Sequence, residues 1–143
     1  MAEPVSAGHR VRQVVNAVNL STLAGLLLAT SEGASLERGP NGLVLARGAT
    51  GTFPRAGAVT VGNVVILRTD HVTDELLRHE GRHATQWAWC VLLFLPLYLL
   101  AVAWSYARTG DHFSRNWFER RAGLADGGYT ERPTRGRRGR ATG

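Results

Sequence analysis

The sequence predicts a small α+β domain, in which a β-hairpin precedes a helix with two histidines and an apolar helical hairpin leads to a last short helix. Three observations support this prediction. Residues 79–83 read H-E-x-x-H in a stretch without proline, residues 58–68 are rich in β-branched side chains, and residues 87–107 carry no charge. The spacing of the histidines predicts a helix at residues 79–83, and the β-branched composition predicts a strand at residues 58–68. The length of the uncharged stretch predicts a helical segment at residues 87–107.

The H-E-x-x-H spacing places His79 and His83 one turn apart on the same helix face, with Glu80 beside them. Neutral imidazoles are good ligands for Zn²⁺, and an adjacent glutamate is suited to be general base for a zinc-activated water. A shuffled chain of this composition would contain the pattern roughly one time in a hundred. We therefore expect Zn²⁺ on the two histidines and a catalytic role for Glu80. The alternative is a surface helix that carries two histidines by chance.

The residues around this motif favour a helix. Residues 75–78 and 84–87 tolerate helical backbone, and Thr73 with Asp74 offers an N-cap. Gly81 is the weak point, because glycine in a helix interior costs about 1 kcal/mol relative to alanine. It also leaves room for a substrate or a strand to approach closely.

An N-terminal helix and a linker are expected over residues 1–41. Valines recur at helical spacing in the first part of residues 9–30, and the leucine-rich second part is apolar almost all round. That second part is too short for a membrane span and suits a buried or interfacial helix. Residues 31–41 hold many turn-forming residues and are expected to form a link.

Two strands are expected at residues 42–47 and 58–68, joined by a turn at 50–57 that contains Pro54 and two glycines. They would form a β-hairpin directly before the motif helix. The edge of such a hairpin offers free N–H and C=O groups that can hold an extended peptide. The alternative is that the hairpin only packs against the helix.

The apolar segment 87–107 is long enough for a transmembrane helix, and tryptophans at 87, 89 and 104 lie where an aromatic belt would. Pro96 lies in its middle and removes a backbone hydrogen bond. Two shapes are therefore open. One is a kinked membrane span, and the other is a pair of short helices that turn back at Pro96 and associate with one side of a membrane or with the domain.

A catalytic zinc usually has three protein ligands and one open position, so a third ligand must come from elsewhere in the chain. We choose Glu119, which lies between apolar Phe118 and Ala122 on a short helix that we expect Ser114 to cap and the glycines at 127 and 128 to end. The alternative is a solvated face in which Glu119 forms local ion pairs. The runners-up as ligands are Asp126, His112, Asp111 and His71.

This choice constrains the shape of the apolar segment. A straight helix over residues 87–107 would be about 30 Å long and would carry Glu119 far from His83. Both can hold one ion only if the segment turns back. We therefore expect a monotopic or membrane-associated hairpin broken at Pro96, with the site on the cytoplasmic side of the membrane.

Charge and cysteine content exclude other classes of function. The net charge is +6, and all 17 basic residues are arginine. Many of them lie in residues 130–143, which are expected to be a disordered, solvated tail. No nucleic-acid-binding motif is visible, and no specific nucleic-acid partner is expected. The single Cys90 excludes an internal disulfide, and the N-terminus lacks the pattern of a secretory signal.

Taken together, these motifs resemble the zincin metallopeptidases on their glutamate-ligand branch, and more closely small bacterial H-E-x-x-H domains. The resemblance covers about residues 40–129. It rests on the strand at 62–66, the continuation of the motif to Gln86, the Leu-Pro-Leu-Tyr stretch at 95–98, and the aromatic-Glu-x-x-Ala segment at 117–122 before a Gly-Gly turn. It implies a minimal zincin-like domain over residues 42–129, with Zn²⁺ on His79, His83 and Glu119 and with Glu80 as base.

One position departs from that family. Larger glutamate-ligand zincins often place an aspartate four residues after the third ligand, where it orients a histidine. Here that position is Gly123, and Asp126 is the candidate substitute.

The function expected from the sequence is zinc-dependent hydrolysis of a peptide or protein substrate. His112, Tyr129 and Tyr106 are the candidate donors to a transition-state oxyanion. Two alternatives remain: an intramembrane protease, and a membrane-associated protein without enzymatic activity whose metal site is structural or degenerate.

Overall fold

Four short strands form a mixed sheet, and five α-helices pack around it, in the residues that the computed structural model describes, 5–51 and 56–135. In chain order the elements are α1 (Ala7–Val18), α2 (Ser21–Ser31), β1 (Ser35–Arg38), β2 (Val44–Arg47), β3 (Ala58–Val61), β4 (Val64–Leu67), α3 (Asp74–Cys90), α4 (Phe94–Thr109) and α5 (Trp117–Ala122). Short 3₁₀ turns lie at Pro40–Gly42 and Val91–Leu93. The α+β class expected from the sequence is confirmed.

The sheet has the order β1-β2-β4-β3, in which only the β2–β4 pair is parallel. All four side chains of β4 are buried, because successive residues of a strand point to opposite faces and both faces are covered. Val64 and Ile66 pack with Ala29 of α2 on one face, and Val65 and Leu67 pack with Ala84 of α3 on the other. The helix that carries the H-E-x-x-H motif therefore lies against the most buried strand.

The strands differ from the sequence prediction in their pairing. Residues 58–68 are not one strand but a hairpin, β3–β4, closed by the two-residue loop Gly62-Asn63, with Gly62 at a φ of 62°. The segment at 44–47 pairs with β4 in parallel rather than forming a hairpin with it, and part of the expected turn, residues 52–55, lies outside the described residues. Residues 35–38, expected to be part of a link, form the antiparallel edge strand β1.

The N-terminal helical segment is broken where one helix was expected. α1 and α2 meet at an angle of 75°, and Leu20 between them has a φ of 65°. Asn19 Oδ1 accepts from the backbone N–H of Ser21, the first residue of α2, at 2.9 Å, whereas the N-cap residue Leu20 offers no side-chain hydrogen bond. The sequence Asn19-Leu20-Ser21 marks this break between the two helices, but the spacing of the apolar residues does not reveal it.

The apolar segment turns back, but not at Pro96. The reversal of 119° between α3 and α4 lies at the 3₁₀ turn Val91–Leu93, where Val91 has a φ of 53°. Pro96 is the third residue of α4, within the first turn, where a backbone N–H has no partner in the helix. The proline therefore fits the beginning of α4 without breaking a helix.

In the described part of the chain no single helix has the length and apolar character to cross a membrane. The bent pairs α1–α2 and α3–α4 reach that length and character only when the two members of each pair are taken together.

The last helix is shorter than expected and has a different cap. Asn116, not Ser114, accepts from the backbone N–H of Phe118, and the helix ends at Ala122 before Gly123. After it, the backbone N–H of Arg132 donates to Ser114 Oγ at 2.8 Å. Residues 136–143 of the expected disordered tail lie outside the described residues.

Gly81 in α3 and Gly25 in α2 predict opposite responses to alanine. A Cβ at Gly81 would meet Leu43 and Arg12 at ordinary contact distances of 3.8 and 3.9 Å, whereas a Cβ at Gly25 would lie 2.4 Å from the carbonyl oxygen of Val61. We expect Gly81→Ala to raise the free energy of unfolding by about 0.5–1 kcal/mol.

Gly25→Ala is the matched control and should lower the free energy of unfolding by about 1–3 kcal/mol, because the added Cβ has no room. Chemical denaturation followed by circular dichroism measures both. Equal responses of the two variants would contradict this packing of α2 and α3.

Candidate metal centre

α3 presents one buried stripe to the interior of the domain, and this stripe carries the motif. The helix begins after Thr73, whose hydroxyl accepts from the backbone N–H of Leu76 at 3.1 Å, so the predicted N-cap is present. Its buried residues are His79, Glu80, His83 and Ala84. Three polar side chains of the motif are therefore removed from water and need partners inside the protein.

Glu119 is the partner that the fold brings to the two histidines. It lies on α5, where Phe118 and Ala122 are buried beside it, and its side chain is 3% exposed. Glu119 Oε2 is 3.2 Å from His79 Nε2 and 3.4 Å from His83 Nε2, and the two Nε2 atoms are 3.0 Å apart. The three side chains predicted to share a metal thus converge on one point.

The spacing of these three atoms fits one bound metal ion. Ligands at 2.0–2.1 Å from a tetrahedral zinc are about 3.3 Å from one another. The separations here are 3.0, 3.2 and 3.4 Å. Glu119 Oε2 is also buried without a hydrogen-bond donor, which is costly for a carboxylate oxygen unless a cation is close.

Both imidazoles are held in the orientation that a metal ligand needs. His79 Nδ1 is 2.8 Å from the carbonyl oxygen of Gly123, which can only accept, so Nδ1 carries the proton and Nε2 is free to bind. His83 Nδ1 donates in the same way to Gln86 Oε1 at 2.8 Å, while Gln86 Nε2 donates to the carbonyl of Phe118 at 2.9 Å. When both rings are neutral, three acceptor atoms therefore face one point with no donor among them.

The orienting group that the sequence left open is a backbone carbonyl. Asp126 does not contact a histidine through a hydrogen bond in the described structure; its Oδ2 accepts from Arg82 Nη1 at 2.7 Å. Gly123 replaces it through its carbonyl oxygen. Gly127 also lies against the ring of His79, since an added Cβ would come within 2.6 Å of Cε1. The glycine-rich end of α5 thus shapes the pocket around this ligand.

Tyr98 is the site residue that the sequence analysis did not identify. Its hydroxyl donates a short hydrogen bond to Glu119 Oε1, which leaves Oε2 for the cation. Its ring and that of Phe94, both on α4, lie edge-on to His83 at 6.3 and 6.4 Å between centroids. A signal did exist, because a phenol in an otherwise apolar helix needs a hydrogen-bond partner when it is buried.

The charges in this cluster follow from burial and from Glu119. Burial alone would raise the pKa of Glu119, but its contacts with His79 and His83 and the Tyr98 hydrogen bond hold that pKa well below its usual value. Burial lowers the pKa of His83, and the neighbouring Glu119 more than reverses this, so the net shift is upward. The pKa of Tyr98 is raised by burial and then by Glu119. The carboxylate is therefore ionised, and Tyr98 keeps the proton that it donates.

Glu80 has a different set of contacts from the three candidate ligands. Its Oε2 accepts from Thr60 Oγ1 at 2.6 Å, so strand β3 holds the carboxylate. The indole Nε1 of Trp87 donates to the carbonyl of Thr60 at 2.8 Å and fixes the same strand against α3. The predicted base is thus positioned by the hairpin that precedes its own helix.

The runner-up ligands lie away from this cluster in the described structure. Asp111 accepts from the hydroxyl and backbone N–H of Ser114, and the ring of His112 stacks on Tyr106 with centroids 5.0 Å apart. His71 precedes α3, where its backbone N–H donates to Thr69. Of the three candidate oxyanion donors, Tyr129 contacts a ligand: its ring is 5.9 Å from that of His79.

Comparisons with protein-family models, with curated proteins and with solved structures found no match.

Metal binding is the first prediction of this geometry. We expect the protein to bind one zinc ion per chain and to gain about 2.7 kcal/mol of stability at a free zinc concentration one hundred times its Kd. Glu119→Gln should lose most of this gain, because the amide brings no charge to balance the ion. Elemental analysis and thermal unfolding with and without chelator measure both effects.

The matched control is Glu75→Gln on the exposed side of α3, where Glu75 pairs with Arg78. It should keep the zinc-dependent stability. An unchanged zinc content in Glu119→Gln would remove Glu119 from the site.

The hydrogen bond from Tyr98 predicts a second, smaller effect. Tyr98→Phe leaves Glu119 Oε1 without its donor and should weaken zinc binding about tenfold, as is usual when a group that orients a ligand is removed. Tyr106→Phe, in the half-exposed tyrosine that stacks on His112, is the control and should bind zinc like the wild type. Competition with a zinc chelator measures the affinities; equal values for the two variants would contradict a role for Tyr98.

Proposed function

We propose that the protein is a zinc-dependent metallopeptidase of a minimal zincin-like type. The observation that supports this proposal is the placement of Glu80 one residue from a ligand in a buried His-His-Glu group whose atom separations fit one tetrahedral ion. A structural site needs only the ligands. Three ligands of this kind with an adjacent carboxylate are typical of hydrolytic zinc sites.

Each residue has a role in the proposed reaction. Zinc, when bound, supplies Lewis-acid activation of a water molecule and of the scissile carbonyl. Glu80 accepts the proton of the attacking water and returns it to the leaving amine, while the Thr60 hydroxyl keeps its carboxylate in position. Tyr98 and the Gly123 carbonyl keep Glu119 and His79 in place, and Tyr129 is the best placed donor to the oxyanion.

The substrate is proposed to be an extended peptide that lies along β3. This strand is at the edge of the sheet and contacts the catalytic glutamate through Thr60. The backbone N–H of Arg68 donates to the carbonyl of Gly57, so the backbone groups of Gly57 point towards β4. Backbone groups alternate in direction along an antiparallel strand, and those of Ala58 and Thr60 therefore point away from β4. Trp87 already occupies the Thr60 carbonyl, so the part of the edge near Ala58 is the part available to a peptide.

A structural metal site is the second candidate, and burial favours it. His79, Glu80, His83 and Glu119 are each at most 7% exposed, and the aromatic rings of Phe94, Tyr98 and Phe118 lie beside them. A site closed in this way can hold the domain together without admitting a substrate. The two candidate functions predict different effects of replacing Glu80.

Glu80→Gln separates the two candidates. We expect the variant to bind zinc like the wild type and to lose hydrolysis by about 10²–10⁴-fold, because the general base is gone and the three ligands remain. The assay is cleavage of a proteome-derived peptide mixture by the zinc-loaded full chain, read by mass spectrometry. Chelator and Glu75→Gln are the controls.

Peptide cleavage that is equal in the wild type and in Glu80→Gln would rule out this mechanism. Absence of cleavage by the wild type, together with zinc loss that unfolds the protein, would identify the metal as structural.

A further inference from the structure

Three helices of this domain have their burial pattern reversed relative to a helix in water. In α1, Arg12 and Asn16 face the protein, where Arg12 donates to the carbonyl of Asn41 at 2.6 Å and Asn16 to that of Ala84 at 2.8 Å. Val11, Val14 and Val18 of the same helix face outward, and Val18 is 77% exposed. A helix at a protein surface normally turns its apolar stripe to the core and its polar side to solvent.

α2 has the same reversed burial pattern, with small residues at its buried positions. Its fully buried residues are Ser21, Gly25 and Ala29, while Leu26 and Leu28 pack half-buried at the edge of the same core, and Gly25 lets the helix approach β3 so closely that no Cβ fits. Leu23 and Leu27 on the other side are exposed. Small residues inside and large apolar residues outside are the arrangement of helices that contact lipid.

α4 repeats the pattern next to the metal cluster. Tyr98, Ser105 and Thr109 point inward, and Ser105 and Thr109 are buried with hydrogen bonds to the backbone of Asp111. Leu100 and Trp104 point outward and are 68% and 60% exposed. The outward sides of α1, α2 and α4 are here called the apolar face.

The parts of the apolar face adjoin one another. A cavity of about 280 Å³ lies where the α1–α2 joint, the end of α3 and the start of α4 meet, and Leu20, Trp87 and Leu95 are among its lining residues. The face is therefore one surface, of the kind that a domain in water rarely leaves uncovered.

The charges around the face indicate what covers it. Residues 5–31 and 87–110, which contain these three helices, hold no Asp or Glu. Arginines lie over aromatic rings on or next to α4: Arg108 over Trp104 at 5.3 Å and Arg135 over Tyr106 at 5.9 Å. Aromatic rings paired with arginines at the border of an apolar surface suit the boundary between acyl chains and anionic headgroups.

We propose that the apolar face docks on a lipid bilayer that contains anionic phospholipid, with the outward side chains of α1, α2 and α4 in the acyl region. The helices lie in the interface, because each is too short to cross alone. The docked side of α4 is opposite to the side on which Tyr98 holds Glu119, so the metal cluster lies directly behind the membrane-facing helix. This proposal does not depend on the metal or on catalysis.

Flotation with lipid vesicles tests the proposal. The full chain, purified in mild detergent and freed of it, is mixed with vesicles of equimolar phosphatidylglycerol and phosphatidylcholine or of phosphatidylcholine alone. We expect the protein to float with the anionic vesicles, and Leu100→Asp and Val14→Asp each to reduce the bound fraction roughly tenfold or more. Leu36→Asp on β1, an exposed leucine outside the face, is the matched control and should bind like the wild type.

A second measurement needs no variant on the face. Phospholipids with brominated acyl chains should quench the tryptophan fluorescence of the wild-type protein, because Trp104 on the apolar face is exposed. Equal binding to vesicles without anionic lipid, equal loss of binding in Leu36→Asp, or absence of quenching would overturn the proposal. It would also be overturned by a stable dimer without vesicles that Leu100→Asp dissociates, because a second copy would then cover the face.

Discussion

Burial of the Glu119 carboxylate between two imidazoles is the constraint on which the rest of the structure depends. An ionised carboxylate that is 3% exposed is very costly unless donors or a cation surround it. Tyr98 satisfies one oxygen, and the other faces two ring nitrogens whose protons are on the far side. A bound divalent metal would give these three acceptor atoms one common partner.

Four separate parts of the chain are needed to hold that arrangement. α3 supplies the imidazoles, α5 the carboxylate and α4 the phenol, while the hairpin β3–β4 supplies the hydroxyl that positions Glu80. The reversal at Val91–Leu93 makes this possible, because it returns the chain towards α3 before α5 begins. In the proposed docking, the same reversal also places the outward side of α4 on lipid while its inward side contacts the site.

The polar contacts between α1 and α3 explain why a helix can face inward with arginine and asparagine. Arg12 and Asn16 bond to carbonyl groups of α3 at Gly81 and Ala84, on the helix that carries the ligands. These bonds are directional, so they fix the rotation of α1 about its axis, and the valines are left outside as a consequence. The spacing of apolar residues alone predicts that α1 is rotated the other way, with its valines towards the core. That prediction assumes a helix with water on one side and the protein core on the other.

The sequence by itself determined the local features. It determined the helix at 79–83 with Thr73 as its cap, the buried run of β4, and the pair of histidines one turn apart, because helical and strand periodicities act over a few residues. Only the tertiary structure decided that residues 35–38 join the sheet, that 44–47 pair with β4 in parallel, and that the chain reverses before Pro96 rather than at it. Strand pairing and helix reversal are decided by contacts between residues far apart in the chain, and a proline in the first turn of a helix looks the same in sequence as one that breaks it. The contacts of Tyr98 and Gly123 with the cluster were likewise decided by the tertiary structure, because they form only when α3, α4 and α5 pack together.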